Sequence, residues 1–107
     1  MTKSEEDLDI PADIEQDDQA LRLREGGRSY LAIAEQLGLE RATTARARYL
    51  RALRRRPPTE QSALCLRELH RLDSVADHIA TRKDRDQPEI SRQLRMVDRL
   101  RLDLFET

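Results

Sequence analysis

The sequence predicts an all-α chain: an N-terminal helix-turn-helix followed by an antiparallel helical hairpin. Three observations carry this. Apolar residues in the second half recur at spacings of three and four, as on one face of a helix. No stretch shows the period-two alternation of a strand. Gly26-Gly27, Gly38 and Pro57-Pro58 interrupt the chain at helix-length intervals. The chain has 107 residues, 37% hydrophobic against 38% charged, and only Tyr30, Tyr49 and Phe105 are aromatic, so its core is thin. Small domains bury a smaller share of their surface, which leads us to expect a homo-oligomer that completes the core.

The elements follow in order. Residues 1–12 are acidic, contain Pro11 and have no period, and are read as a flexible arm. A first helix is expected from about Asp13 to Glu25, with Asp17 and Asp18 favoured near its positive end and Gly26-Gly27 stopping it. Ser29 is placed to cap a second helix, Tyr30 to Leu37, which Gly38 ends. A third runs from about Arg41 to Arg55, and Pro57-Pro58 stops it. This makes residues 13–56 the helix-turn-helix domain and 57–107 a hairpin for oligomerisation. In the hairpin, Thr59 is expected to cap a helix from Glu60 to Lys83, whose stripe is Cys65, Leu69, Leu72, Ala76 and Ile79. Asp86 and Glu89 form a capping-box-like start for the last helix, which reaches about Phe105 with Ile90, Leu94, Val97 and Leu104 on one stripe. Asp73 and Asp77 are expected to face Arg92, Arg95 or Arg99 across the hairpin. Leu64, Leu66, Met96, Leu100, Leu102 and Phe105 widen the two stripes beyond what one hairpin can cover.

The overall charge of −1 conceals an asymmetry. Residues 1–19 hold one Lys and eight acids; residues 20–56 hold ten Arg and three Glu, a balance of +7. Such a segment fits a polyanion-binding surface, or a solvated face neutralised by the acidic head.

Within it, SYLAIAEQLGLERATTARARYL carries the spacing of a helix-turn-helix. Ala34 is the small residue where two helices touch, Gly38 takes the turn, and Leu39 falls back to the core. Ile33 and Leu37 on the second helix, and Thr44, Ala47 and Leu50 on the third, are expected to face inward. A buried Thr44 hydroxyl would then need a backbone acceptor. The outward set is Glu40, Arg41, Ala42, Thr43, Ala45 and Arg46. In a major groove, Arg41, Thr43 and Arg46 would read bases, since Arg pairs with guanine and methyl groups meet thymine. Arg48 and Arg51 would follow phosphates, and Arg28 and Ser29 would meet a phosphate at the start of the second helix. The partner this implies is double-stranded DNA.

Other chemistry finds little footing. Cys65 is single, so no internal disulfide forms and a reducing cytoplasm is expected. The start of the chain has no apolar run of a signal peptide, and no stretch approaches the about 20 apolar residues of a membrane span. His70 and His78 are eight apart, wider than the i, i+4 spacing that suits a metal on a helix. No phosphate-binding glycine loop or nucleophile set is present, so neither catalytic residues nor a cofactor or metal is expected.

The stretch ALRLREGGRSYLAIAEQLGLERATTARARYLRALRR resembles the DNA-binding module of tailed-phage terminase small subunits. LRELHRLDSVADHI and SRQLRMVDRLRLDLFE are similar to the hairpins that follow that module in short actinobacterial and phage relatives. The resemblance spans about Ala20 to Glu106, and its helix-turn-helix part is shared with many repressors and resolvases. It implies recognition of viral DNA at a packaging start and delivery to a large, ATP-hydrolysing terminase subunit. Longer members contact the motor through a segment after the hairpin, of which this sequence has almost none. Two other readings stand beside it: a dimeric transcriptional or plasmid-maintenance regulator using the same helices, and a helical protein-interaction adaptor that binds no DNA.

Overall fold

The computed structural model describes residues 2–82 and 86–105, those from 2 to 12 as backbone only. The described residues form five α-helices and no strand: α1 (Thr2–Glu25), α2 (Tyr30–Leu37), α3 (Ala42–Arg54), α4 (Pro58–Thr81) and α5 (Gln87–Asp103). The chain divides into two compact units, residues 1–57 and 58–107.

In the first unit, α1 packs chiefly on α3, and α3 also packs on α2. The backbone of α1 is helical from Thr2, where the sequence reading places a flexible arm up to residue 12. Further along, Asp17, Ala20, Leu21 and Arg24 are buried, at the i, i+3, i+4, i+7 spacing of one helix face.

Two glycines close α1 and α2 in the same way. Gly27 has φ 93°, with its N–H donating to the Arg24 carbonyl and the Arg28 N–H to the Leu23 carbonyl. Gly38 has φ 72°, with its own N–H on the Glu35 carbonyl and the Leu39 N–H on the Ala34 carbonyl. Both are Schellman stops, which need the left-handed backbone that only glycine takes without strain. Ser29 caps α2 as expected, its Oγ accepting from the Ala32 N–H at 3.1 Å.

The inward face of α3 corrects the expectation. Arg41 is the N-cap and Ala42 the first helical residue. Successive residues of a helix stand about 100° apart, so an inward face centred one residue along takes in different side chains. Ala45, expected outside, is wholly buried, while Thr44, expected inside, is exposed and Ala47 only half-buried. The physical gain is direct: an alanine methyl enters the core and the Thr44 hydroxyl stays in water, where it needs no protein partner. The core is then Ile33 and Ala34 of α2 with Ala45, Tyr49, Leu50, Ala52 and Leu53 of α3 and Ala20 and Leu21 of α1. Its alanines allow close helix approach, and Tyr49, wholly buried, is its largest side chain.

In the second unit, α4 begins at Pro58, with no cap at Thr59. Proline at the first helical position already has the right φ and lacks only an N–H that would have no intrahelical partner. α5 has its expected cap, the Asp86 Oδ1 accepting from the Glu89 N–H at 3.0 Å. α4 and α5 pack together. One groove between them runs from Val75–Arg82 to Glu89–Leu100, while Cys65 and Leu69 meet Leu104 and Phe105, so the pair is antiparallel. Its core is Leu64, Leu72, Ile90, Val97 and Leu104, with buried Glu68 held by Arg71 Nε at 2.8 Å. Across the pair, Asp73 binds Arg101 Nη2 at 2.7 Å instead of the expected Arg92, Arg95 or Arg99. Arg101 also binds Asp98 at 2.7 Å, so the residue that interrupts the apolar stripe joins the two helices.

Candidate nucleic-acid interface

α3 presents one stripe away from the core. Thr43, Ala47, Arg51 and Arg54 fall at i, i+4, i+8 and i+11, and all but Ala47 are exposed. Thr44 is exposed beside them, and Arg41 is exposed at the N-cap. Arg46, expected on the reading face with Arg41 and Thr43, is half-buried on the flank that runs through Leu50 and Leu53. Of the three residues expected to read bases, Arg41 and Thr43 therefore share the exposed start of α3, and Arg46 is turned aside. Arg28 and Ser29 are exposed just before α2. The Ser29 oxygen accepts the capping bond and its hydroxyl proton is still available to donate.

The loop that carries Arg28 is fixed from below. Arg24 is buried, and its Nη1 donates to the Arg28 carbonyl at 3.0 Å. Its guanidinium lies 4.1 Å from the centre of the Tyr30 ring, and Tyr30 meets Tyr49 edge-on with centroids 5.9 Å apart. The stack ties the end of α1 and the start of α2 to the middle of α3.

The two arginines expected on phosphates, Arg48 and Arg51, are both bound to a carboxylate. Asp17 is 1% exposed and accepts four hydrogen bonds. Arg48 Nη1 (3.1 Å) and Arg51 Nη2 (3.3 Å) reach Oδ1; Arg51 Nε (3.2 Å) and Arg55 Nη2 (3.0 Å) reach Oδ2. Arg48, Arg51 and Arg55 stand at i, i+3 and i+7, which brings them to one side of α3 toward α1. Burial by itself would raise the Asp17 pKa, but the hydrogen bonds from Arg51, Arg55 and Arg48 outweigh it and hold the carboxyl below its usual 3.8. Asp13 lies 3.8 Å from Arg48, and Asp18 binds Arg56 at 3.4 Å. The acids of α1 thus meet arginines in the second half of α3 and just past its end, leaving the first half outside this network.

Sequence reasoning missed Asp17 as a partner of α3, assigning it to the helix end. The signal was its place on the buried stripe of α1 with Ala20, Leu21 and Arg24. A carboxylate on an inward stripe needs a cation opposite it.

Among the described residues no group of three or more His, Cys, Asp or Glu is placed to hold a metal, and no helix is long and apolar enough to cross a membrane. Burial and the neighbouring Glu68 push the Cys65 thiol pKa up, away from the reactive thiolate. No protein-family model matches the chain, and no curated protein or solved structure is significantly similar to it.

Proposed function

We propose that this chain is a sequence-specific double-stranded DNA-binding protein, of the kind represented by the DNA-recognition small subunits of phage terminases. In this reading α2, the Gly38 turn and α3 are the helix-turn-helix, and α4 with α5 assembles copies. The observation that carries it is the division of α3. One face is locked in the core through Ala45, Tyr49, Ala52 and Leu53, while the opposite stripe is exposed, small-residued at its start and basic at its end.

Each part of that stripe has a role. Thr43, Thr44 and Ala47 are short enough to let α3 approach base edges, and their methyl groups suit thymine. Arg41 at the helix start is placed for guanine. Arg51 and Arg54 lie further along, toward the backbone, and Arg28 and Ser29 meet a phosphate at the start of α2. Arg48, 16% exposed between Asp13 and Asp17, serves as a structural cation in place of its expected phosphate role.

A feature of the second unit favours the terminase-like reading over a two-fold regulator. α4 and α5 carry apolar grooves on opposite flanks. One, of about 490 Å³, is lined by Val75, Ile79, Met96 and Leu100; the other, of about 460 Å³, by Cys65, Leu66, Leu69 and Phe105. A two-fold interface uses one self-complementary patch, whereas two unlike patches join copies head to tail and can close a ring. The occupant of each groove in this reading is the opposite flank of a second copy.

The test is a mobility-shift titration over salt with the full chain. Wild type is expected to bind duplex DNA with an affinity that falls steeply as salt rises, and Arg41→Ala to lose roughly 1–3 kcal/mol of sequence preference. No binding at low salt would leave the adaptor reading standing. A solution mass of a dimer would shift the assignment to a regulator.

A further inference from the structure

The clasp around Asp17 bears on the DNA contact itself, and its role there rests on the DNA-binding reading. Asp17 is too buried to meet a ligand, and its two oxygens are filled by four N–H donors. Those donors use only part of each arginine. Arg51 gives Asp17 one edge of its fork, Nε and Nη2, and keeps Nη1. Arg55 gives Nη2 and keeps Nε and Nη1. Their side chains are 49% and 38% exposed, and Arg51 lies on the outward stripe of α3 with Thr43 and Ala47. Three guanidiniums, set against the carboxylates of Asp17 and of Asp13 beside Arg48, also leave positive charge in excess among these groups.

We infer that Asp17 is a positioning residue for DNA binding: it grips Arg51 and Arg55 from the protein side and presents their remaining N–H groups to phosphate oxygens. A free arginine loses rotamer freedom when it docks on a phosphate, and one already held by a carboxylate loses less. The planar fork can serve two anions at once because its N–H groups point in different directions, which an ammonium cannot reproduce with fixed geometry. The opposing role, in which Asp17 simply neutralises its arginines, makes the reverse prediction for charge. Removing the carboxylate would then free cations and tighten binding.

The sign of one variant separates the two. Asp17→Asn raises the net charge of the chain by one, so electrostatics alone favours tighter binding. Positioning requires it to bind a fluorescent mixed-sequence duplex roughly 2- to 10-fold more weakly at fixed salt. A mixed sequence suffices because phosphate contacts carry no sequence choice. Affinity is read as a function of salt with the full chain, after circular dichroism shows the helices formed. Two further variants keep the outcome clear should Asp17→Asn not fold. Arg51→Lys retains the charge but not the fork, and is expected to weaken binding by a similar factor. Arg51→Ala is expected to lower the salt slope by about one, which a purely structural residue would leave unchanged. Where Asp17→Asn folds, it should cost less in the Arg51→Ala background than in wild type. Wild-type affinity in Arg51→Lys, or equal or tighter binding by folded Asp17→Asn, overturns the inference and leaves DNA binding intact. Failure of the wild type to bind at low salt overturns both.

Discussion

The two units solve the problem of a small apolar inventory in opposite ways. The first, residues 1–57, covers its core with its own helices: of its described large apolar side chains only Ile14, at 37%, and Leu31, at 59%, are exposed. Its polar bonds cross between helices, through Asp17 to α3 and through Arg24 to the loop before α2. The second, residues 58–107, is a pair of helices with a single line of core, and Leu66, Val75, Met96, Leu102 and Phe105 stay 44–64% exposed. Three mutually packed helices can enclose a core, but two have a covered side only where they face each other. Under the proposed function, self-containment would suit an element that holds a reading face rigid, and the open flanks would suit one that assembles copies.

The largest test of that contrast is at Tyr49. Its ring is wholly buried in the core of the first unit, edge-on to Tyr30 of α2. Tyr49→Ala should cost about 3–5 kcal/mol, as other aromatic deletions in cores do. Thermal unfolding followed by circular dichroism should show the helices of the first unit melting early. A shift no larger than that of a surface substitution would mean the first unit is not closed around this ring.

Asp17→Asn comes next, at about 2–3 kcal/mol near neutral pH. This lies below the usual loss for a broken buried ion pair because Arg51 and Arg55 are partly solvated. Its pH dependence has a fixed sign. The folded carboxyl holds its proton less readily than the unfolded one, whose value is near 3.8. The stabilisation is therefore complete above that value and is lost as the pH falls through the lower, folded value. Denaturant titrations should show wild type and Asp17→Asn converging on acidification below about pH 4; a constant gap would show that the ion pairing is not what stabilises.

Gly38→Ala is the third, costing about 1 kcal/mol. Nothing lies within 4 Å of an added Cβ there, so the loss comes from φ 72° alone. A loss well beyond this would mean that the turn also changes the phase of α3.

The smallest effect on monomer stability, and the sharpest contrast, is expected from Met96→Glu and Phe105→Glu. These residues are 62% and 64% exposed on opposite flanks of the second unit, so the helix pair should stay folded. Self-association should fall, and light-scattering mass should drop toward that of a single chain. Sensitivity to one flank only would indicate a two-fold contact rather than a head-to-tail one.

Much of this molecule was readable from neighbouring residues. α2 has the expected limits, Ser29 and Asp86 cap through their side-chain oxygens, and Gly38 ends α2 in the left-handed conformation expected of it. Capping and left-handed turns depend on a few consecutive residues, so a local reading finds them. The phase of α3 was not local in this sense. It is decided by how α3 packs against α1 and α2, and that packing puts Ala45 rather than Thr44 in the core. For the candidate interface this kept Arg41 and Thr43 on the exposed side, moved Arg46 to the flank, and brought Thr44 and Ala47 outward.

The sequence by itself determined that the chain is all-α, where its helices stop, and that positive charge is concentrated in residues 20–56. These follow from periodicity, glycine and proline stereochemistry, and composition. Only the tertiary structure decided which of those charges face α1. Asp17 is 31 residues from Arg48 and 38 from Arg55, and no spacing rule connects positions on two helices whose packing is unknown. Once α1 lies against α3, a buried carboxylate must be matched by cations within hydrogen-bonding reach. That requirement separates the clasped arginines of the second half of α3 from the exposed start that holds Arg41 and Thr43.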